Sequence, residues 1–517
     1  MSEASIRDGS ATSTRHGSYA QILRSSVLIG GAAALTLAIG MVRIKALALL
    51  IGPAGIGLLG VFSSIFELAR SVAQVGISAS GVRQIAEAVA SEDVQRIART
   101  VTVVRRAAFG LGLLGTLGLA VLAREVSYST FGSTEHAESI AWLSLAVFFR
   151  LVADAQACLF QGLRRIADLA QIGVFGALAG AVASIILAAA LGEAGVVPGL
   201  VAAAAVSTLI SWRYASALKV ESAPMTGAQF RDEAAALLKL GLAFMGSALL
   251  MAGAAFAVRA IVLRQIGVDA AGLYHAAWTL GGMYVGFILQ AMGTDFYPRL
   301  VGVIKAPQEC TRVVNEQAGV SLLLAGPGVI ATLVFAAPVL TAFYSADFAA
   351  AESTLRWFCL GMALRVISWP MGYIIVARNQ RLVFFSTELA WTVVNVGLSW
   401  ACIERFGLVG AGMAFFGSYV FHGLMVYAVV RRTQGFRWSA ATWRQGSIFV
   451  AIIAGTFAAD SLLPAAWARG AEVALLFASV AYTLRSLSQL APELVPHALK
   501  RLLARKIQVS KAPTHEQ

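Results

Sequence analysis

Apolar segments long enough to cross a lipid bilayer recur along the whole chain and are separated by short polar loops. A transmembrane helix needs about 20 mostly apolar residues, and fourteen segments fit that length. Their approximate bounds are 24–47, 55–77, 101–123, 139–160, 170–192, 195–213, 241–263, 272–293, 317–340, 354–376, 383–403, 408–430, 446–463 and 468–486. The pattern therefore predicts an all-α polytopic membrane protein.

Composition agrees with this prediction. Of the 517 residues, 58% are hydrophobic and 13% are charged, whereas soluble domains average about 45–50% and about 25%. The net charge of +13 comes mostly from Lys and Arg in short loops, so we expect it to orient the protein rather than to bind nucleic acid. The four cysteines have no metal-ligand spacing, and we expect neither a metal nor a cofactor.

The loop charges predict the orientation in the membrane. Loops after even-numbered spans carry 20 Lys and Arg residues, and loops after odd-numbered spans carry 4. Positive loops stay in the cytoplasm, so both termini are expected to be cytoplasmic.

A weak internal repeat divides the chain. The segment Ile51–Leu58 recurs as Ile266–Leu273, and Arg43 is echoed by Arg259 at nearly the same offset. A repeat that spans six helices predicts two pseudo-symmetric six-helix lobes around a central cavity, with an extra C-terminal helix pair. The predicted parts are a disordered cytoplasmic tail (1–20), an N-terminal lobe (21–218), a cytoplasmic amphipathic linker (219–240), a C-terminal lobe (241–432), an additional transmembrane hairpin (433–490) and a basic cytoplasmic tail (491–517).

The first hairpin also resembles a known family. The segments Leu49–Gly57, Gly76–Val82 and Arg83–Glu87 look like the opening helices of Wzx-type flippases. These are O-antigen and related polysaccharide translocases of the multidrug/oligosaccharidyl-lipid/polysaccharide exporter superfamily. The resemblance implies an undecaprenyl-diphosphate-linked oligosaccharide as substrate and the bacterial inner membrane as location. It also implies membrane lipids, a polysaccharide polymerase and chain-length proteins as partners.

Charged residues inside the spans divide into two groups. An opposite charge lies one helical turn away in four pairs, which can neutralise themselves: Glu67 with Arg70, Arg150 with Asp154, Asp295 with Arg299, and Glu352 with Arg356. Six residues have no partner on their own helix: Arg43, Lys45, Arg259, Arg365, Glu388 and Asp460. An isolated charge in the membrane needs a partner on another helix, water or a ligand, so these are functional candidates.

Most of the isolated charges are cationic, which indicates an anionic substrate. A guanidinium group binds phosphate through two parallel hydrogen bonds, and aromatic side chains near the second repeat can stack on sugars. The predicted substrate-binding residues are Arg43, Lys45, Arg70, Arg259, Arg365, Tyr274 and Trp278, with Tyr284, Trp369 and Tyr373 as further aromatic candidates. The predicted ion-coupling residues are Asp154, Asp295, Glu388 and Asp460. Asp154 is the first choice among them.

Enzymatic motifs are absent from the sequence. There is no Gly-Lys dipeptide and hence no Walker A loop, and neither an HExxH nor a GxSxG motif occurs. His275 and His422 are expected to be packed helix residues. We therefore expect an ion-coupled flippase, an antiporter in type, and not an enzyme. Two alternatives stay open: a cation-coupled multidrug exporter of the same superfamily, and a membrane polymerase or ligase, which the short odd-numbered loops disfavour.

Overall fold

The computed structural model describes residues 4–218 and 224–490 of the chain. Within these ranges the secondary structure consists of sixteen α-helices and two short 3-10 helices, without strands. The α-helices are α1 (Ala4–Gln74), α2 (Ile77–Ala90), α3 (Val94–Val121), α4 (Ala123–Phe131), α5 (Ala137–Gly162), α6 (Ile166–Leu191), α7 (Val196–Ser216), α8 (Gly227–Ile266), α9 (Val268–Val303), α10 (Pro307–Val334), α11 (Ala336–Phe343), α12 (Glu352–Ala377), α13 (Arg381–Phe406), α14 (Leu408–Gln434), α15 (Ala440–Leu462) and α16 (Ala465–Leu490).

The fourteen predicted spans fall on these helices. Eleven helical segments of the described residues are long and apolar enough to cross a membrane, and two of them, Gly30–Gln74 and Ile166–Ser216, each contain two predicted spans. The chain is therefore an all-α polytopic membrane protein, as the hydrophobic pattern predicts. The short helices α2, α4 and α11 lie outside the predicted spans or at their ends.

Polar residues in the loops determine where several helices begin. The Asp93 carboxylate accepts hydrogen bonds from the backbone N–H groups of Gln95 and Arg96 at 2.9 and 3.1 Å, which caps α3. Thr226 and Gln229 bond each other's backbone N–H groups in a capping box at the start of α8. Such caps satisfy backbone donors that have no partner within the helix.

The first two predicted spans form one helix with a kink. Gly52 interrupts α1 with a φ of 59° and a ψ of −167°, and Pro53 follows it. Proline has no backbone N–H to continue the hydrogen-bond ladder, and glycine takes a positive φ without steric cost. The first two predicted spans, 24–47 and 55–77, are therefore joined by a sharp kink at Gly52.

The structure describes helices within two of the predicted domains, the N-terminal tail and the linker. Helix α1 begins at Ala4, within the disordered cytoplasmic tail predicted over residues 1–20, and that assignment stays a prediction. The linker predicted over 219–240 is continuous with the following span from Gly227 onward, since α8 runs to Ile266 without a break. Residues 219–223 and the predicted basic tail 491–517 lie outside the described residues.

The described chain divides into two compact units. Unit 1 contains the residues up to His275 together with Ala342–Asp347, and unit 2 contains the rest from Ala276 onward. In unit 1, buried side chains of α2, α3 and α5, such as Ile85, Val104 and Leu159, form a continuous core that Leu237 of α8 joins. The division into lobes at 219–240 stays a prediction.

Unit 2 has a core of its own. Phe296 and Leu300 of α9 pack with Val314 of α10, Ile374 of α12 and Val430 of α14, and all five side chains are fully or almost fully buried. The last two helices, α15 and α16, both pack on α10. The additional C-terminal hairpin is therefore attached to unit 2 through α10.

Candidate functional site

Arg43 lines a small cavity in unit 1. The cavity has a volume of about 160 Å³, and the side chains around it include Leu47, Leu59, Ser63 and His275. Within the described residues Arg43 forms no ion pair, and its buried Nε has no hydrogen-bond partner. A half-buried guanidinium without a counter-charge is costly in a membrane, so this cavity favours an anion.

Arg259 lies close to the same histidine. Its guanidinium donates a hydrogen bond to the carbonyl of Ala255, one turn earlier, at 3.0 Å and lies 5.8 Å from the centre of the Tyr274 ring. Its Nε is buried without a partner, as in Arg43. Both arginines interact electrostatically with His275. Arg43 and Arg259, which the sequence pairs through the repeat, are thus both within electrostatic range of one side chain.

The two copies of the repeat contact each other directly. A Cβ atom on Gly57 would overlap the backbone carbonyl of Val268, and a Cβ atom on Gly272 would overlap that of Pro53. Each residue of the second copy lies 215 positions after its equivalent in the first, so the contact is reciprocal. The helix also breaks at equivalent glycines, with φ 59° at Gly52 and 114° at Gly267. Small residues allow this close backbone approach.

His275 is a candidate site residue that the sequence analysis expected to be a packed helix residue only. Its imidazole lies against Gly60: a Cβ atom on Gly60 would come within 2.8 Å of the His275 Nδ1. This Nδ1 is buried and has no hydrogen-bond partner. The repeat provides the signal that could have found it. Gly60 is the equivalent of His275 at the 215-residue offset, so one copy carries the imidazole and the other leaves room for it.

Arg70 and Asp154 lie in a different group of unit 1. Arg70 pairs with Glu67 at 2.8 Å and with Asp154 at 3.2 Å, and Arg150 pairs with Asp154 at 3.0 Å. The predicted Glu67–Arg70 and Arg150–Asp154 pairs are therefore confirmed, and Asp154 connects them. Its side chain is 16% exposed. Protein carboxylates already neutralise Arg70, in contrast to Arg43 and Arg259.

Unit 2 contains a second group of polar residues in α12, α13 and α14. Arg365 interacts electrostatically with Glu388, Tyr419 and His422. Neither Arg365 nor Glu388 forms an ion pair in the part of the chain that the structure describes. The Nδ1 of His422 and the Nε1 of Trp391 are buried without partners. Polar atoms in this group are thus available to water or a ligand.

Arg356 does not pair with Glu352, the carboxylate one turn earlier on its own helix. Its guanidinium pairs with Asp460 at 2.7 Å and with Glu472 at 3.0 Å, and it donates hydrogen bonds to the carbonyls of Thr456 and Phe457. The predicted Glu352–Arg356 pair is wrong, because carboxylates from α15 and α16 reach the guanidinium. Asp460 has its partner on another helix. The predicted Asp295–Arg299 pair is confirmed at 3.2 Å and is exposed.

The remaining predicted side chains occupy varied surroundings. Lys45 is half-buried on α1, and Tyr274 is 4% exposed. Trp278 packs edge-on against Phe358 and Phe415, with ring centres 5.5 and 5.1 Å apart. The aromatic candidates of the second repeat also have protein partners: Trp369 and Tyr373 pack on each other and on Phe296, and the Tyr284 hydroxyl donates a hydrogen bond to the carbonyl of Leu324.

The chemistry of the Arg43 cavity follows from these contacts. Arg43 and His275 line the cavity, Arg259 interacts electrostatically with His275, and no described carboxylate forms an ion pair with either arginine. Such a group attracts a ligand with several anionic oxygens, because guanidinium forms bidentate hydrogen bonds to phosphate. A simple cation or a cationic drug would be repelled.

Comparison with known proteins identifies the family of the chain. The family model for polysaccharide biosynthesis proteins matches residues 46–352. Lipid III flippases from Escherichia coli (strain K12) and Shigella flexneri are each 23% identical to the chain over 391 residues, which cover 74% of the chain and 91% of each relative.

Solved structures show the same fold. The lipid II flippase MurJ in an inward closed conformation has a TM-score of 0.68 at 11% identity and covers 90% of this chain and 99% of its own. An inward-facing multidrug resistance transporter of the MATE family in the MOP superfamily has a TM-score of 0.58 at 14% identity. The match covers 78% of this chain and 98% of the transporter. The helical architecture predicted from the sequence is the one these transporters share.

Proposed function

Because this chain belongs to the family of polysaccharide biosynthesis proteins, we propose that it is a flippase for an undecaprenyl-diphosphate-linked oligosaccharide in the bacterial inner membrane. The observation that carries the proposal is that Arg43 and Arg259 both interact electrostatically with His275 and form no ion pair with a described carboxylate. The names of the lipid III flippase relatives and of the lipid II flippase with the same fold agree with a saccharide carried on a lipid.

The proposed transport cycle is alternating access. The diphosphate binds Arg43 and Arg259 while the polyprenyl chain stays in lipid, and the glycine-containing breaks at Gly52 and Gly267 let the helices reorient. The bidentate guanidinium contacts favour a diphosphate over a neutral sugar lipid. We propose an O-antigen or similar repeat unit as the saccharide, with both termini cytoplasmic and with polymerase and chain-length proteins as partners.

We propose that an ion gradient drives the cycle and that Glu388 takes up the ion. Protonating Asp154 would break ion pairs with Arg70 and Arg150, and Asp460 is held by Arg356. Protonating Glu388 would break no ion pair in the described structure, and the charge of Arg365 is close enough to respond. Asp295 is 74% exposed and pairs only with its own helix, which gives it little coupling to a conformational change.

The test of the substrate proposal uses Arg43→Ala and Arg259→Ala. Each variant removes a charge-assisted bond to phosphate worth about 1.5–3 kcal/mol, so we expect substrate affinity to fall roughly 10- to 150-fold. Complementation of a flippase-deficient host, read as surface polysaccharide, should fail for both variants at unchanged membrane abundance. Arg→Lys should rescue only in part, because an ammonium lacks the bidentate geometry.

Arg264→Ala provides the matched control. Arg264 lies on the same helix as Arg259, is exposed and bonds the backbone carbonyl of Ser129. Its loss should leave export intact. Full export by both Arg43→Ala and Arg259→Ala would remove the anion-binding proposal and favour the multidrug exporter instead. Reduced membrane abundance of the two variants would indicate a structural role for the arginines.

A further inference from the structure

Unit 1 has another cavity, larger than the one at Arg43, that the proposed transport does not use. It lies between α3, α5 and α7 and has a volume of about 400 Å³, within the range of roughly 300–1,000 Å³ typical of ligand sites. Its lining includes Arg105, Arg106, Phe109, Gln156 and Trp212. No lining residue is shared with the cavity at Arg43.

The polar part of this cavity carries uncompensated positive charge. Arg105 is half-buried, and its terminal nitrogen donates a hydrogen bond to the Gln156 side-chain oxygen at 3.3 Å. Its Nε is buried without a partner. Neither Arg105 nor Arg106 forms an ion pair with a described carboxylate. A neutral amide oxygen satisfies one donor but leaves the charge unpaired, so the cavity favours an anion.

Arg105 differs from an ordinary loop arginine in its position. Arg99, on the same helix and nearer its start, is exposed to solvent. The Arg105 guanidinium is instead directed into the cavity, towards Gln156 of α5. An arginine that only oriented the helix in the membrane would extend its charge to the water, as long cationic side chains do near helix ends. The inward contact therefore indicates a binding role.

The rest of the cavity is apolar. Val152, Ala155 and Ala215 form its wall, and the exposed rings of Phe109 and Trp212 flank it, 55% and 58% exposed. An anion with no hydrocarbon would leave this apolar surface uncovered. An amphiphile with an anionic head and an acyl chain covers both parts, which matches the division of the cavity into a cationic and an apolar side.

The cavity also lies at the right depth for a lipid headgroup. Trp212 is one turn before the end of α7 at Ser216, and tryptophan is enriched where a helix leaves the hydrocarbon. The loop charges predict that this end of the helices faces the cytoplasm. Basic pockets between helices on that side suit anionic lipids.

We propose that the cavity at Arg105 binds the phosphate headgroup of an anionic membrane phospholipid. The phosphate contacts Arg105 and Arg106, and the first methylenes of the acyl chain pack on Phe109 and Trp212. The site is separate from the transport site, so its occupancy is measurable without substrate.

The experiment uses the full chain in nanodiscs of phosphatidylcholine with added phosphatidylglycerol. Native mass spectrometry counts the phosphatidylglycerol molecules that each protein retains. We expect the wild type to retain one more than the Arg105→Gln/Arg106→Gln double variant, and the exposed-arginine control Arg99→Gln to match the wild type. Arg105→Lys, which keeps the charge, should retain phosphatidylglycerol with roughly tenfold weaker affinity, since it loses the bidentate geometry.

Competition distinguishes the possible sources of the anion. Millimolar inorganic phosphate should not displace the phosphatidylglycerol, and Trp212→Leu should weaken retention while the protein elutes normally from size exclusion. Equal retention by the wild type and the double variant would overturn the proposal. Displacement by inorganic phosphate would show a site for free anions, and displacement by an equimolar polyprenyl phosphate would assign the cavity to the transport substrate.

Discussion

At the scale of single residues, the two carboxylates proposed for ion coupling differ in the number of ion pairs that they form. Asp154 lies between two guanidinium groups and is 16% exposed. Glu388 is half-buried, forms no ion pair among the described residues and interacts electrostatically with Arg365. A residue that binds and releases an ion in each cycle must change charge without breaking the surrounding structure.

This contrast predicts different effects of two amide variants. Glu388→Gln should abolish gradient-driven transport in vesicles and leave membrane abundance and substrate binding unchanged. Asp154→Asn should lower the folded yield, because it leaves Arg70 and Arg150 without their shared partner. The measurement is uptake into vesicles with and without an imposed proton or sodium gradient, with protein content determined in parallel.

Glu404→Gln is the control for this experiment. Glu404 is exposed on the same helix as Glu388, near its end, and its loss should leave coupling intact. If Glu388→Gln transports normally and Asp154→Asn loses coupling at normal abundance, the coupling residue is Asp154. That result would restore the assignment favoured by the sequence.

The sequence was sufficient to find the charged residues within the spans, but it predicted only some of their ion pairs. The Glu67–Arg70 pair follows from helix geometry, because residues three apart share a face. Arg356 also has a carboxylate four residues earlier, at Glu352, yet it binds Asp460 and Glu472 from α15 and α16. An arginine side chain reaches neighbouring helices, and which helix packs beside it depends on the fold rather than on local spacing.

At the scale of elements, a buried ion pair joins the C-terminal helices α15 and α16 to α12 within unit 2. The side chains of Arg356 and Glu472 are 8% and 5% exposed, and Arg356 also bonds two backbone carbonyls of α15. Removing two charges from water is expensive, and here the hydrogen bonds satisfy the guanidinium almost completely. The contact thus connects α12, α15 and α16 at one point.

Loss of this contact should destabilise the protein strongly. Glu472→Gln removes the buried one of the two carboxylates that pair with Arg356 and leaves the more exposed Asp460, so we expect a loss that approaches the roughly 3–5 kcal/mol cost of breaking a buried pair. We expect a clear loss of monodisperse protein after heating in detergent, measured by fluorescence-detected size exclusion. Replacing both partners with apolar residues, Arg356→Met with Glu472→Leu, should restore much of the stability.

The exposed pair in α9 is the control for this prediction. Asp295→Asn removes a pair whose carboxylate is 74% exposed, and such pairs contribute about 0–1 kcal/mol. Equal losses for Glu472→Gln and Asp295→Asn would contradict the structural role of the buried pair.

The long helices were predictable from the length of their apolar segments. The short helices α2, α4 and α11 were not, because each is shorter than a membrane span.

At the scale of the whole molecule, the internal repeat explains both the backbone breaks and the position of the arginines. Gly57 and Gly272 contact the opposite copy reciprocally, and Gly60 leaves room for His275 at the equivalent position. The sequence shows the repeat through Ile51–Leu58 and Ile266–Leu273. It does not show that the two copies touch, because the same offset is compatible with copies that are far apart. The convergence of Arg43 and Arg259 therefore became visible only in the structure.

Topology provides the last test, because an even number of spans must precede the second repeat if both copies have the same orientation. The 20 basic residues in loops after even-numbered spans, against 4 after odd-numbered spans, predict which loops are cytoplasmic. A reporter fused after Leu218 or Arg432 should be cytoplasmic, and one fused after Gly132 or Asp347 should be periplasmic. Paired alkaline phosphatase and fluorescent protein fusions measure the two sides independently. If Gly132 and Leu218 were on the same side, the span assignment of unit 1 would fail, and with it the predicted parallel orientation of the two repeats.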